Sequence, residues 1–338
     1  MLLTGFVLAF GLSHGQKPDS VPNLYIKSYS DKFFLWPVLK QRTLSFEIQN
    51  PKQIGNSVNF KPNNAYGLGL GMYLFDLGIE LVFAVPVEKD KELSRGKTTA
   101  QDIQLNIISR KWGGDIFYQR YNGFYLDNPD SPVNGGAYPQ RPDVQTQNIG
   151  ATAFYVFNSE KFSLRSAFTF ADRQLKSSGS FLLSTGFNAF RFTADSVVVN
   201  NHYATRIGLV NPFTQLDHQT LSFAPGYSYN LVVKKFFLNG TFSLGPAIHW
   251  ISYEYAADNR VSHTTVNTFA DFRLAFGYST DRFFTGVTFA TQTRNARFED
   301  IQFSNSSGTY RLLFGFRFQE VGILKKSVWS LLPGGKSK

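Results

Sequence analysis

Charged side chains are sparse in this chain, and their positions limit the chemistry open to them. Arg165, Arg173, Arg273, Arg294, Arg311 and Arg317 fall on alternating positions otherwise held by Gly, Ser, Thr, Asn and Ala, with Glu80 and Asp271 as the acids on the same kind of face. Guanidinium groups enclosed in excess must be hydrated, paired with those acids or neutralised by bound anions, because an unpaired buried charge is costly. This allows either a water-filled lumen that favours small anionic solutes or a structural network of side chains that closes it. His202, His218, His249 and His263 are the histidines available for catalysis. His218 follows Asp217 in a long connection, His249 shares a face with Ser243 and Ala247, and no GxSxG turn supplies a nucleophile, so no catalytic residue is expected. An enzyme that modifies outer-membrane lipid ranks third. No histidine pair has metal-ligand spacing, and Glu299-Asp300 and Asp127 to Asp130 read as acidic loop ends. Cysteine is absent, which removes thiolate ligands and disulfides; neither a metal nor a cofactor is expected.

The elements that position these residues are strands. Even positions Phe236, Leu238, Gly240, Phe242, Leu244, Pro246, Ile248 and Trp250 alternate with Asn239, Thr241, Ser243, Gly245, Ala247 and His249. Odd positions from Leu221 to Val233 are bulky and even ones from Thr220 to Asn230 polar or small; Tyr310, Leu312, Phe314, Phe316 and Phe318 alternate with Arg311, Gly315 and Arg317. Further strands are expected over 64–73, 75–86, 101–110, 113–126, 145–158, 161–173, 178–192, 265–280 and 282–297, giving about twelve. A soluble sheet would carry Lys and Glu on its second face, whereas a face of Gly, Ser, Thr and Asn suits a confined lumen and a face of Phe, Tyr and Leu suits lipid. No segment approaches the roughly 20 apolar residues of a membrane-spanning helix, so the chain is expected to cross a membrane as an all-β, antiparallel, up-and-down transmembrane barrel.

Connections at 75–76, 111–113, 158–160, 234–235 and 281–282 are short, and those at 87–100, 127–144, 193–218 and 252–264 are long. Short turns normally face the periplasm. The 174–177 turn and the 193–218 loop disturb the alternation, so either a strand over 41–49 together with part of 193–218 brings the count to fourteen, or the barrel carries a large periplasmic insertion. Leu2 to Leu12 reads as the apolar part of a signal peptide over 1–15, without a preceding Lys or Arg, and Gln16 as the mature start. A periplasmic or plug-like segment is then expected over 16–63, the barrel over 64–318, and a periplasmic tail over 319–338. Gly67, Gly69 and Gly71 leave one strand face without side chains, room for something bulky or a packed plug. Trp250, Tyr253, Tyr255 and Tyr310 read as interface anchors, and Tyr138 sits in a loop where a sugar could stack.

Tyr25-Ile26-Lys27-Ser28-Tyr29-Ser30-Asp31-Lys32, Phe60-Lys61-Pro62-Asn63, Asn122-Gly123-Phe124-Tyr125, and Ala224 to Tyr229 ahead of Lys234-Lys235-Phe236-Phe237 resemble the Domain of Unknown Function 4421 proteins of Bacteroidota. The resemblance spans nearly the whole chain after the signal. It implies an exported outer-membrane protein and brings no activity or catalytic residues. The formal charge of +10 suits phosphate groups in general, but the Lys and Arg are dispersed and no RNA-binding signature is present, so nucleic acid is not expected. The expected partners are outer-membrane lipid and lipopolysaccharide, the outer-membrane assembly machinery and a small anionic solute. The expected role is a narrow conduit in the outer membrane of a Gram-negative bacterium, or else a structural or assembly-partner barrel with a closed lumen.

Overall fold

The computed structural model describes residues 24–52, 56–74, 77–128, 136–199, 201–207, 213–255 and 259–320; the expected signal and most of the expected tail lie outside the described residues. In chain order the elements are β1 (Ile26–Ser28), β2 (Lys32–Gln49), β3 (Ser57–Lys61), β4 (Gly67–Leu74), β5 (Leu77–Ala84), α1 (Lys89–Arg95), β6 (Thr99–Ile108), β7 (Trp112–Leu126), β8 (Gln140–Val156), α2 (Arg165–Phe168), β9 (Asp172–Gln174), β10 (Ser178–Thr193), α3 (Asn201–Ile207), β11 (Phe213–Val233), β12 (Phe236–Tyr255), β13 (Arg260–Ser279), β14 (Phe283–Phe298) and β15 (Ile301–Gln319).

Antiparallel ladders run β15-β14-β13-β12-β11-β10-β8-β7-β3-β2, and β2 pairs back with β15, so ten strands close a barrel. Three more are attached to it: β4 pairs with β2, β5 with β4, and β6 with β7. The edge of β2 is shared by height. Its first part, Phe34 to Lys40, pairs with β4, and its last part, Phe46 to Gln49, pairs with β3. At the level of β4 the wall therefore has twelve strands, and at the level of β3 it has ten. Among the described residues no ladder joins β5 to β6.

The outer face also changes with height. On β15, Tyr310, Leu312, Phe314, Phe316 and Phe318 point outward, followed toward the loop end by Gly308, Ser306, Ser304 and Gln302. On β2, Phe33 to Leu39 give way to Gln41, Thr43 and Ser45. On β14, Phe283 to Phe289 give way to Thr291, Thr293, Asn295 and Arg297. The apolar belt thus lies at the short-turn end, and its span on β15 matches the about 9 to 11 residues a tilted strand needs to cross a bilayer. A polar collar stands above it. Collar side chains satisfy one another: Thr293 and Ser306 hydroxyls share a 3.0 Å bond, and Asp217 accepts from Arg191 (2.5 Å) and Arg260 (2.9 Å).

Three sequence expectations change here. The 161–173 segment is not a wall strand: it folds into the barrel as α2 and β9, and β9 pairs with β1. Its alternation reflects burial on every side, because Phe162, Leu164, Ala167, Phe168, Phe170 and Ala171 are all buried. The 16–63 segment is not an independent plug, since β2 and β3 within it form the wall and β2 closes the barrel. The expected count of twelve survives at membrane level because β2 replaces the strand expected at 161–173. His218 lies in β11 rather than in a loop.

Candidate functional site: a lumen filled in three layers

Two apolar layers cap the interior. At the short-turn end, the inward residues Phe34, Trp36, Phe154, Phe237, Phe284 and Leu313 pack around the 157–177 insertion. Phe170 is its keystone. It stacks on Phe284 (4.8 Å between centroids) and meets Phe237 edge-on (5.7 Å), in a space that a side chain at Gly286 would fill. Its backbone is left-handed, with φ of 56°, a conformation that costs a non-glycine residue and persists only where packing enforces it. Arg317 supplies part of that enforcement: its Nη2 donates to the Phe170 carbonyl (2.6 Å) and its Nη1 to the Thr280 carbonyl (2.5 Å), and the guanidinium lies over Tyr29 and Phe284. Arg165 sits in α2 and donates to the Tyr73 hydroxyl (2.6 Å), with Asp172 3.9 Å away.

The plug is also tied from outside. Asp281, in the β13–β14 turn, accepts from Lys27 Nζ and from the Tyr29 hydroxyl (both 2.8 Å) and lies 3.7 Å from Arg173. Its hydrogen bond from Lys27 holds the Asp281 carboxyl below the usual aspartate range, while burial pushes the Tyr29 phenol up to about 12. At the loop end a second apolar layer joins Phe46, Phe60, Phe192, Phe213, Tyr253 and Phe303 to Tyr203 and Ile207 of α3. Tyr253 is buried inside this layer rather than anchoring an interface, whereas Trp250 and Tyr310 do point outward; the Tyr255 side chain lies outside the described residues.

Between the caps lies a polar layer. Glu80 accepts from Lys40 (2.9 Å), Arg311 (3.0 Å) and the Trp36 indole (3.2 Å). Arg273 bridges Asp115 and Asp271 (both 3.0 Å); Gln292 donates to Asp271 (3.0 Å) and accepts from Arg294 (2.8 Å). Asp102 pairs with Arg42 and ends a chain of amides in which Asn188 donates to Asn148, Asn148 to Gln119, and Gln119 to Asp102. A cavity of about 100 Å³ remains among Arg42, Asp115, Asp271, Arg273 and Arg311. His218, His249 and Thr220 form a fully enclosed hydrogen-bonded cluster, with 2.8 Å between the imidazoles, and among the described residues no group of acids and histidines is placed to hold a metal. His263 sits elsewhere, 3.3 Å from Glu299 and beside the Tyr253 and Phe298 rings, and the His202 side chain lies outside the described residues.

The eight lumen charges read from sequence therefore separate. Arg273 and Asp271 meet, Glu80 and Arg311 meet, and Arg294 reaches Asp271 through Gln292; Arg165, Arg173 and Arg317 belong to the plug. Sequence reasoning missed Lys40, Arg42, Asp102 and Asp115. Parity alone would have found Lys40 and Arg42, which continue the even inward series Phe34, Trp36, Val38. Within the polar layer Lys40, Arg42, Arg273, Arg294 and Arg311 face Glu80, Asp102, Asp115 and Asp271, a surplus of one charge there; the other three arginines of the expected surplus, Arg165, Arg173 and Arg317, lie at the plug. The glycine stripe is lumenal as expected, and at Gly71 the bulky group is Trp36, whose indole occupies the place of the missing side chain.

No curated protein matches the chain in sequence. Among solved structures, the Escherichia coli outer membrane protease OmpT is similar at 9% identity and a TM-score of 0.41, over 86% of this chain and 98% of that one. The toluene transporter TodX of P. putida matches at 9% and 0.29, over 86% and 91%. The translocator domain of the autotransporter NalP from Neisseria meningitidis matches at 8% and 0.32, over 86% and 90%. At these scores the likenesses carry no argument; the barrel rests on its own register, and its apolar belt makes it an outer-membrane protein of a Gram-negative bacterium. The sequence profile of the family described as Domain of unknown function (DUF4421) matches residues 17–318, and the chain belongs to that family.

Proposed function

We propose that this protein is a non-enzymatic outer-membrane barrel with a closed lumen, acting as a structural or assembly partner through its surfaces rather than as a conduit. The observation that carries this reading is the stacking of three filled layers, two apolar and one ion-paired, along a single bore. An anion crossing it would have to displace Phe170 and α2 at one end and the aromatic layer at the other, and would meet cations already paired with acids between them. The partners this reading implies are membrane lipid, lipopolysaccharide and the machinery that inserts barrels; the near balance of charge within the polar layer speaks against a small anionic solute. Reconstitution in planar bilayers tests it. The full chain is expected to be electrically silent, while replacing 161–175 with a short Gly-Ser linker is expected to produce discrete conductance steps. Sustained conductance by the unmodified chain would overturn the proposal.

A further inference from the structure

On the outside of the barrel, where β2 changes partner from β4 to β3, five residues of its edge have no ladder. Asn64 bridges this gap: its amide donates to the Arg42 carbonyl (2.5 Å) and its own carbonyl accepts from Gln41 (3.4 Å). Beside it opens a cleft of about 310 Å³ lined by Gln41, Thr43, Asn64, Lys61, Tyr125 and Arg95. That volume suits a small polar headgroup. Asn63 locks α1 against it by donating to the Lys91 and Gly96 carbonyls (3.2 and 2.8 Å), which delivers Arg95 to the cleft.

Arg95 is the chemically distinctive member. Its guanidinium lies 5.4 Å from the Tyr125 ring centre and 5.3 Å from that of Tyr138, and no carboxylate pairs with it among the described residues. Lys61, by contrast, is held by Asp127 at 2.5 Å. Packing over two aromatic rings holds the guanidinium without using its N–H groups, an arrangement suited to a phosphate. Height supplies the second half of the argument. Gln41 is the first outward polar residue of β2 above Leu39, and the exposed Tyr66, Leu68 and Leu70 run downward from the cleft into the apolar belt. A ligand seated here has its polar part at the belt's upper rim and apolar wall directly beneath.

We infer that this cleft holds the phosphorylated sugar headgroup of a lipid from the adjoining leaflet, with Arg95 on the phosphate, the Gln41 and Thr43 side chains on sugar hydroxyls, and the acyl chains along β4. The inference is independent of whether the lumen is closed, and silence or conductance in bilayers does not bear on it. The chain has no cysteine, so Ser45→Cys provides a single attachment point for an environment-sensitive fluorophore beside the cleft. The full chain in detergent is titrated with a diphosphorylated glucosamine lipid, its dephosphorylated counterpart, and water-soluble glucosamine 1-phosphate. The phosphorylated lipid is expected to bind about tenfold more tightly than the dephosphorylated one, a difference of about 1.4 kcal/mol, with Arg95→Gln removing that preference. Arg297→Gln, elsewhere on the collar, is expected to bind as the unmodified chain does. Thr43→Trp, which fills the cleft from an exposed position, is expected to abolish binding even if Arg95→Gln folds poorly. Equal affinity for the two lipids, or unchanged binding in Thr43→Trp, would overturn the inference; full competition by the soluble sugar phosphate would overturn the lipid as its source.

Discussion

The belt and the collar are built from the same strands yet solve different problems. In the belt the wall has twelve strands, its outer face is apolar, and the β5–β6 boundary carries no ladder among the described residues. Unpaired backbone is expensive in hydrocarbon, so such a boundary needs other support. Side chains supply it from inside: Glu80 of β5 is held by β2 and β15, and Asp102 of β6 is held by β2, so both free strands are pinned across the lumen. In the collar, β3 takes the place of β4, β5 and β6, the ring closes through backbone pairing, and the interior is aromatic. The difference teaches that buried ion pairs are concentrated where backbone closure is weakest. Where the ring is complete, apolar packing suffices.

Substituting one arginine from each region tests that contrast most severely. Arg273→Gln, in the belt, strands Asp115 and Asp271 in the interior and is expected to cost about 3 to 5 kcal/mol, the usual penalty for removing one partner of a buried pair. Arg294→Gln, at collar height, removes a 2% exposed cation with no carboxylate bound to it among the described residues, and is expected to cost under about 1 kcal/mol or to stabilise. Urea unfolding in vesicles measures both. Equal losses would dissolve the distinction between the two regions.

The outer faces give a second, somewhat smaller contrast along one strand. Phe314→Arg places a charge in the middle of the belt on β15 and is expected to cost about 2 to 4 kcal/mol of insertion free energy; Ser304→Arg, ten residues earlier and opposite Glu47, is expected to cost about 0 to 1 kcal/mol. The fraction of protein whose gel mobility shifts on boiling reports insertion. A comparable defect in both variants would mean the membrane extends over the collar.

The mildest effect is expected at the plug's outer tie. Because the Asp281 carboxyl is held below its ordinary range by Lys27, the stability it lends is complete above the unfolded aspartate pKa and is lost as the pH falls through its lower folded value. Acidification should therefore increase amide exchange in β1 and β9 before the wall strands respond, and Asp281→Asn should remove that pH dependence. Uniform exchange throughout the barrel on acidification would argue against a separate tie.

Period two determined a great deal by itself. Alternation in β11, β12 and β15 specified which residues face lipid, and every one of those assignments holds, because a strand's side chains have only two directions available. The same rule failed where burial is not two-sided. The plug segment from Phe162 to Phe170 is enclosed all round, and in β2 the lipid face and much of the lumen face are both apolar, so alternation does not mark this wall strand. Charge pairing was less legible still. Arg273 meets Asp115 across 158 positions of sequence, and Lys40 and Arg311 converge on Glu80 only because β2 closes against β15. Parity can say that a side chain points inward; which partner it finds there depends on the barrel's closure and on the height at which each strand enters, and these are properties of the assembled wall.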